Sequence, residues 1–195
     1  MPASDAEIIA RSVEDREAFT GIFDRHYVAI SDYLRRRLPE SMADEMASET
    51  FAIAFRRRAD FNRKASSARP WLFGIATNLV HSSRRAERRQ WRAYARAHAE
   101  QVPDHADEAI ERADAQRASA HLATALHALK REERDVLTLW SWAELTYAEI
   151  ADALDLPIGT VRSRLSRARA HVLELMSEAG QDLSAGDEKG AESAG

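Results

Sequence analysis

Between Asp155 and Glu174 the chain carries four arginines and no acid, on a stretch whose apolar residues Val161, Leu165, Ala168 and Val172 recur at three- and four-residue steps. That spacing predicts a helix with one buried stripe. At about 100° per residue, Arg162, Ser163, Ser166, Arg167 and Arg169 cover the remaining arc, and Arg164 flanks the apolar edge. A solvated helix face usually alternates acids with bases at four-residue spacing. An acid-free face repels itself unless an anion docks on it. The preceding segment predicts a second helix. Thr146 and Glu149 have capping-box spacing, and Ile150 and Leu154 lie one turn apart. Ala151 is small enough to admit a neighbour, and Asp155-Leu156-Pro157 breaks the helix. Two helices, a tight break and a basic second helix read as a helix-turn-helix. Its second helix reaches base edges with N-terminal side chains, and its arginines bind phosphates or guanines. Gly159 and Thr160 stand at the helix start, where backbone N–H groups can take a phosphate. The plain alternative is an amphipathic helical hairpin with an arginine-rich surface.

The rest of the chain is helical in the same way. Phe19, Ile22, Phe23, Tyr27, Ile30 and Leu34 predict a helix over Asp15 to Leu38, ended by Pro39. A second is predicted over Met42 to Arg58, with Met46, Ala47, Thr50, Phe51 and Ala54 on one side and Phe55 adjoining. Asp60 to Arg69 reads as a polar loop. Pro70 suits the first turn of a third helix, with Trp71, Leu72, Ile75 and Leu79 as its stripe. Leu122, Leu126 and Leu129 mark another helix, and Val136, Leu137, Leu139 and Trp140 mark one over Glu132 to Trp142. With only 7 Gly and 5 Pro in 195 residues, and Val, Ile and Thr too sparse for sheets, the expected fold is all-α, two small helical domains joined by a flexible acidic linker.

The formal net charge of −4 conceals segregation. Residues 56–96 hold 12 Lys/Arg and 2 Asp/Glu, a local +10, whereas 97–114 hold 6 acids and 1 Arg, a local −5. Two basic blocks divided by an acidic segment suggest two contacts with a polyanion. The expected domains are 12–96 and 117–178, with a linker over 97–116 and a disordered tail over 179–195. The chain has no cysteine, which excludes disulfides, cysteine-bound zinc and thiol sensing. Its histidines lack metal-ligand spacing, and neither metal nor cofactor is expected. No run of 18 apolar residues occurs, so a cytoplasmic protein not inserted in a membrane is expected.

These residues carry a resemblance. Glu149-Ile150-Ala151, followed by Gly159 to Arg169, is similar to the promoter-binding domain of extracytoplasmic-function (ECF) sigma factors of the sigma-70 family. Glu49-Thr50-Phe51 with Ala54-Phe55-Arg56 resembles the family's polymerase-docking helix. Pro70-Trp71-Leu72, Ile75-Ala76-Thr77-Asn78 and Arg84-Arg85 resemble its −10 recognition and melting helix. The resemblance spans about Asp15 to Met176. It implies binding to core RNA polymerase at the β′ clamp and β flap, with Glu45, Glu49, Phe51 and Phe55 at the clamp and one of the two phenylalanines in the core. It implies −35 duplex contacts by Gly159, Thr160, Arg162, Ser163, Arg164, Ser166, Arg167 and Arg169. It implies capture of a flipped −10 base by the segment containing Phe61, Asn62, Arg63, Lys64, Ser66 and Ser67, with Asn78 at the pocket edge. Arg84, Arg85, Arg88 and Arg89 then offer a basic track for the strand, with Trp91 as a stacking group and Trp71 as a core anchor. An anti-sigma partner is implied as well. The chain departs from the family pattern at Ser48, where Gln is common, at His81, where an acid is common, and at Leu129-Lys130, where Leu-Pro is common.

Two other functions compete. A conventional regulator needs the helix-turn-helix but neither N-terminal motif. An enzyme needs paired carboxylates, a glycine-rich phosphate loop or a metal cluster, and the sequence offers none of these.

Overall fold

The computed structural model describes residues 3–62, 65, 67–97 and 124–192, excepting the side chains of 84, 86–97 and 178–192. The expected linker, apart from Ala97, and residues 117–123 lie outside the described residues. Every described element is helical. α1 (Asp5–Ser12) leads through a 3-10 turn (Arg16–Phe19) to α2 (Thr20–Arg35) and α3 (Glu40–Arg56). A second 3-10 turn (Arg58–Asp60) precedes α4 (Arg69–Ala97). The helical residues 124–128 are α5. α6 (Arg131–Ser141), α7 (Tyr147–Leu154) and α8 (Ile158–Glu192) follow.

α1 was not foreseen. It has only two large apolar residues on its buried side, Ile8 and Ile9, too few to establish a period. Its start was nevertheless written locally. The Ser4 hydroxyl accepts from the Glu7 N–H and the Glu7 carboxylate accepts from the Ser4 N–H, a complete capping box. The expected single helix from Asp15 is divided, because Asp15 caps a 3-10 turn through the Glu17 N–H before α2 begins.

The described residues fall into two compact units, those within 1–102 and 139–158 and those within 103–138 and 159–195. In the first, α3 buries Ala43, Ala47, Thr50 and Ala54, small residues that bring neighbouring helices close. α2 contributes Ile22, Ile30, Tyr33 and Leu34. The Tyr33 ring meets Phe73 edge-on at 5.2 Å, and its hydroxyl bonds Thr77 Oγ1 at 2.8 Å, tying α2 to α4. α4 is buried over 72–77 without a break, wider than the stripe that Trp71, Leu72, Ile75 and Leu79 predict. The reason is that α7 covers it in addition to α2 and α3. A Cβ on Gly74 would stand 2.4 Å from the carbonyl oxygen of Ala153 in α7, so only glycine admits this approach. Arg69 also donates to the Ala143 carbonyl at 2.7 Å. Residues 139–158, expected from sequence to lie with a separate C-terminal domain, are by these contacts gathered with the N-terminal helices.

In the second unit Arg134 closes α5. Its Nε donates to the Leu126 carbonyl at 2.6 Å, and its Nη2 donates to those of His127 and Leu129 at 2.6 and 2.9 Å. These are carbonyls that a helix end leaves without partners. Ala125, Leu129, Val136, Val161, Leu165 and Ala168 are buried. α8 continues to Glu192, through most of the segment expected to be disordered. That segment contains no proline to break the helix, although Gly180, Gly186 and Gly190 each disfavour it by about 1 kcal/mol relative to alanine.

Candidate nucleic-acid interface

α7 starts as its sequence dictates. Thr146 Oγ1 accepts from the Glu149 N–H at 3.3 Å, and Glu149 Oε2 accepts from the Thr146 N–H at 2.8 Å. Asp155 ends the helix in the left-handed region, with φ 52°. Asp adopts this conformation more readily than most residues other than glycine. The N–H groups of Asp155 and Leu156 both return to the Ala151 carbonyl, and Pro157 follows.

The face of α8 divides as its period predicts. Val161, Leu165 and Ala168 are buried. Gly159, Arg162, Ser163, Ser166, Arg167 and Arg169 are exposed, and Thr160 and Arg164 are half-buried. Val172, the last of the predicted stripe, is half-buried. Nothing lies within 4 Å of a Cβ built on Gly159, so the backbone there is open to an approaching group. Ser163 donates its hydroxyl to the Thr160 carbonyl at 3.0 Å, which leaves its lone pairs outward. Arg167 is held from the side, its Nε 3.1 Å from Glu133 Oε1. Arg162 has no hydrogen-bond or ion-pair partner among the described residues.

A second basic face runs along α4. Trp71, Asn78 and Arg85 are seven residues apart and so share one side of the helix. Asn78 and Arg85 are exposed, and Trp71 is half-buried. Arg89 and Arg92 continue that register along the backbone; the side chains of Arg84, Arg88, Arg89 and Trp91 lie outside the described residues. From Asn78 to Arg92 the face is about 21 Å long at 1.5 Å per residue. Phe61 is 6% exposed, with its ring 5.2 Å from that of Trp71, so it walls the start of the segment before α4 rather than facing solvent. Asn62 is exposed and Ser67 half-buried. Arg63, Lys64 and Ser66 lie outside the described residues.

Asp5, absent from the sequence-based set, is drawn into this region. Its carboxylate accepts from Ala68 N–H at 2.8 Å, Ser67 Oγ at 3.2 Å, His26 Nε2 at 2.8 Å and Arg25 Nη1 at 3.0 Å. Burial by itself raises the carboxyl. The Ala68 N–H, the Arg25 guanidinium and His26 together outweigh it and hold the group below the usual carboxylate range. The capping box announces α1 in the sequence, but no local signal announces partners 20 to 63 positions away.

On α3, Glu45 is exposed, and Glu49 is half-exposed and paired with Arg56 at 2.7 Å. Phe51 is 5% exposed, which makes it the core member of its pair with Phe55. Phe55 is half-buried, edge-on to Phe19 at 5.4 Å, with the Arg58 guanidinium 4.0 Å above its ring. Phe23, assigned from its period to a buried stripe, is 39% exposed beside Phe51, with ring centroids 4.9 Å apart.

An acid-free, arginine-bearing face on α8, in a chain with a second arginine-rich helix, is the pattern of a DNA-binding protein of the transcription class. Two family models match the chain: Sigma-70 region 2 over residues 22–90, and Sigma-70 region 4 over 120–172. The ECF RNA polymerase sigma factor SigC of Mycobacterium tuberculosis is 32% identical over 131 residues, covering 67% of this chain and 68% of that protein. The RNA polymerase sigma factor NccH of Alcaligenes xylosoxydans xylosoxydans is 28% identical over 183 residues, covering 90% and 96%. Among solved structures, CnrH in complex with the cytosolic domain of CnrY superposes with a TM-score of 0.67 at 25% identity, covering 90% of this chain and 99% of that one. The chain belongs to the sigma-70 family of RNA polymerase sigma factors, in its ECF branch. Sigma factors are promoter-specific initiation proteins rather than enzymes. Among the described residues, no helix is long and apolar enough to cross a membrane.

Proposed function

We propose that the chain binds core RNA polymerase and directs it to promoters by two separate DNA contacts. The N-terminal face of α8 reads −35 duplex. α4 and the segment before it take the −10 element as single strand. The observation that carries this reading is the division of α8. Its apolar residues are buried, while Arg162, Ser163, Ser166 and Arg169 stand out with no acid among them. Such a face fits a major groove, where arginine pairs with guanine and serine serves either partner.

The α4 face supports the second contact. Asn78 and Arg85 lie on the side that Arg89 and Arg92 prolong, which suits a strand followed by its phosphates. Glu45, Glu49 and Phe55 on α3, with the exposed Phe23 of α2 against Phe51, supply a mixed acidic and aromatic surface for the β′ clamp, and the C-terminal helices serve the β flap. CnrH was solved with the cytosolic domain of CnrY, and by similarity an anti-sigma protein covers these surfaces when the factor is idle. This work is done in the cytoplasm, where the polymerase acts.

Run-off transcription with purified core enzyme tests the proposal. Adding the chain is expected to create specific starts on genomic template, while the chain alone binds those promoters poorly. Absence of any specific start on genomic template would overturn it. A conventional regulator, by contrast, binds its site equally well without core enzyme.

A further inference from the structure

We infer that Asp5 is a positioning residue for −10 strand capture, acting by pinning the entry to α4. The inference rests on the −10 role proposed above. The segment leading into α4 is held at both ends. Phe61 is packed on Trp71 at its start. Ser67 and Ala68 are bonded to Asp5 at its end. Ala68 is fully buried, and the Leu72 N–H returns to its carbonyl, so Ala68 opens the first turn of α4. A carboxylate that holds the Ala68 N–H therefore sets where α4 begins. It also sets how Trp71 and, two turns on, Asn78 are presented. The Ser67 hydroxyl accepts from the Arg69 N–H at 3.2 Å while donating to Asp5, which joins the same anchor to the next residue.

The charge is matched to the place. A carboxylate beside a strand-binding face repels phosphates unless it is neutralised. Here Arg25 engages one oxygen, while His26, Ser67 and Ala68 engage the other. The group is thus spent on fixing backbone, and only 8% of the side chain is exposed. Charge-assisted hydrogen bonds of this kind are stronger and more directional than neutral ones. α1 accordingly acts as a strut. Its capping box fixes its start, Ile8 and Ile9 seat it in the core, and Asp5 in its first turn reaches across to α4.

The test uses the full chain in holoenzyme with core polymerase. The probe is a fluorescent single-stranded oligonucleotide carrying the −10 nontemplate sequence of a promoter mapped by 5′-end sequencing, set against a base-scrambled control. Core affinity and binding to −35 duplex are measured alongside. Wild type is expected to favour the −10 probe. Asp5→Ala is expected to lose about tenfold of that preference, the order of one charged hydrogen bond, with core and −35 binding retained. Asp5→Asn, which is isosteric and can still accept from Ala68 but loses Arg25, is expected to lose about threefold. It decides the question if the alanine variant fails to fold. Unchanged preference in the folded variants, or a parallel loss of −10, core and −35 binding, would overturn the inference. A wild-type holoenzyme without preference would instead sink the −10 reading, and the Asp5 role with it.

Discussion

Glu133 Oε1 and Arg167 Nε lie 3.1 Å apart, joining α6 to the exposed face of α8 with a carboxylate 11% exposed and a guanidinium 63% exposed. The pair holds one arginine of the acid-free α8 face from its side. Glu133→Gln releases Arg167, so affinity for random duplex is expected to rise and the salt dependence to steepen by about one phosphate contact. Arg167→Ala removes the contact and leaves Glu133 without this partner. Because the guanidinium is largely solvated, the stability loss is expected to be at most about 1 kcal/mol. Fluorescence anisotropy across a salt series checks the first expectation, and a slope equal to that of wild type contradicts it.

Arg162 differs from Arg167 in having no ion-pair partner among the described residues while standing one residue after the buried Val161. Arg162→Ala is expected to weaken −35 duplex binding by about 1–3 kcal/mol if the guanidinium pairs with a guanine. Substituting the contacted base should cost the wild type a similar amount and the variant little. A footprint over −35 that is the same for both proteins removes Arg162 from the reading set.

Glu49 pairs with Arg56 on the outside of α3, both side chains well exposed. Glu49→Lys reverses the charge at small structural cost, because exposed pairs contribute about 0–1 kcal/mol. Capture of core polymerase is expected to fall at least tenfold, the effect of about 1.4 kcal/mol, while −35 duplex binding persists. Equal capture of core enzyme by the variant places the docking surface elsewhere.

Asp5 makes stability depend on acid. Its folded carboxyl titrates below the ordinary value, so its contribution is fully present above about pH 4, where the unfolded group is ionised. The contribution disappears as pH falls through the folded value. Urea unfolding of wild type and Asp5→Asn between pH 3 and pH 6 is expected to show wild type more stable at pH 6, with the gap closing toward pH 3. A gap that widens on acidification contradicts the ion-pair account.

Much of this was legible locally. The Thr146/Glu149 cap, the break at Asp155-Leu156-Pro157 and the buried Val161, Leu165 and Ala168 all follow from a few adjacent residues, because helix caps and a 3.6-residue period are short-range properties. The same logic failed at Phe23. Periodicity shows that a residue lies on the apolar side, but not how far the neighbouring helix extends over it. Phe23 therefore emerged at the surface, and no period reaches Phe61, whose packing against Trp71 appears only in the folded chain.

Backbone hydrogen bonding and side-chain period, written within about ten residues, are enough to specify an all-helical chain with an acid-free, arginine-bearing helix face. They cannot specify contacts between distant positions. The wide burial of α4, the close passage of Ala153 over Gly74 and the convergence of Arg25, His26, Ser67 and Ala68 on Asp5 arise only when whole helices pack. A glycine or a lone aspartate looks unremarkable until another backbone arrives beside it. The arginine-rich face of α8 could therefore be read from its own residues, whereas the anchor at the entry to α4 existed only once α1 had folded against it.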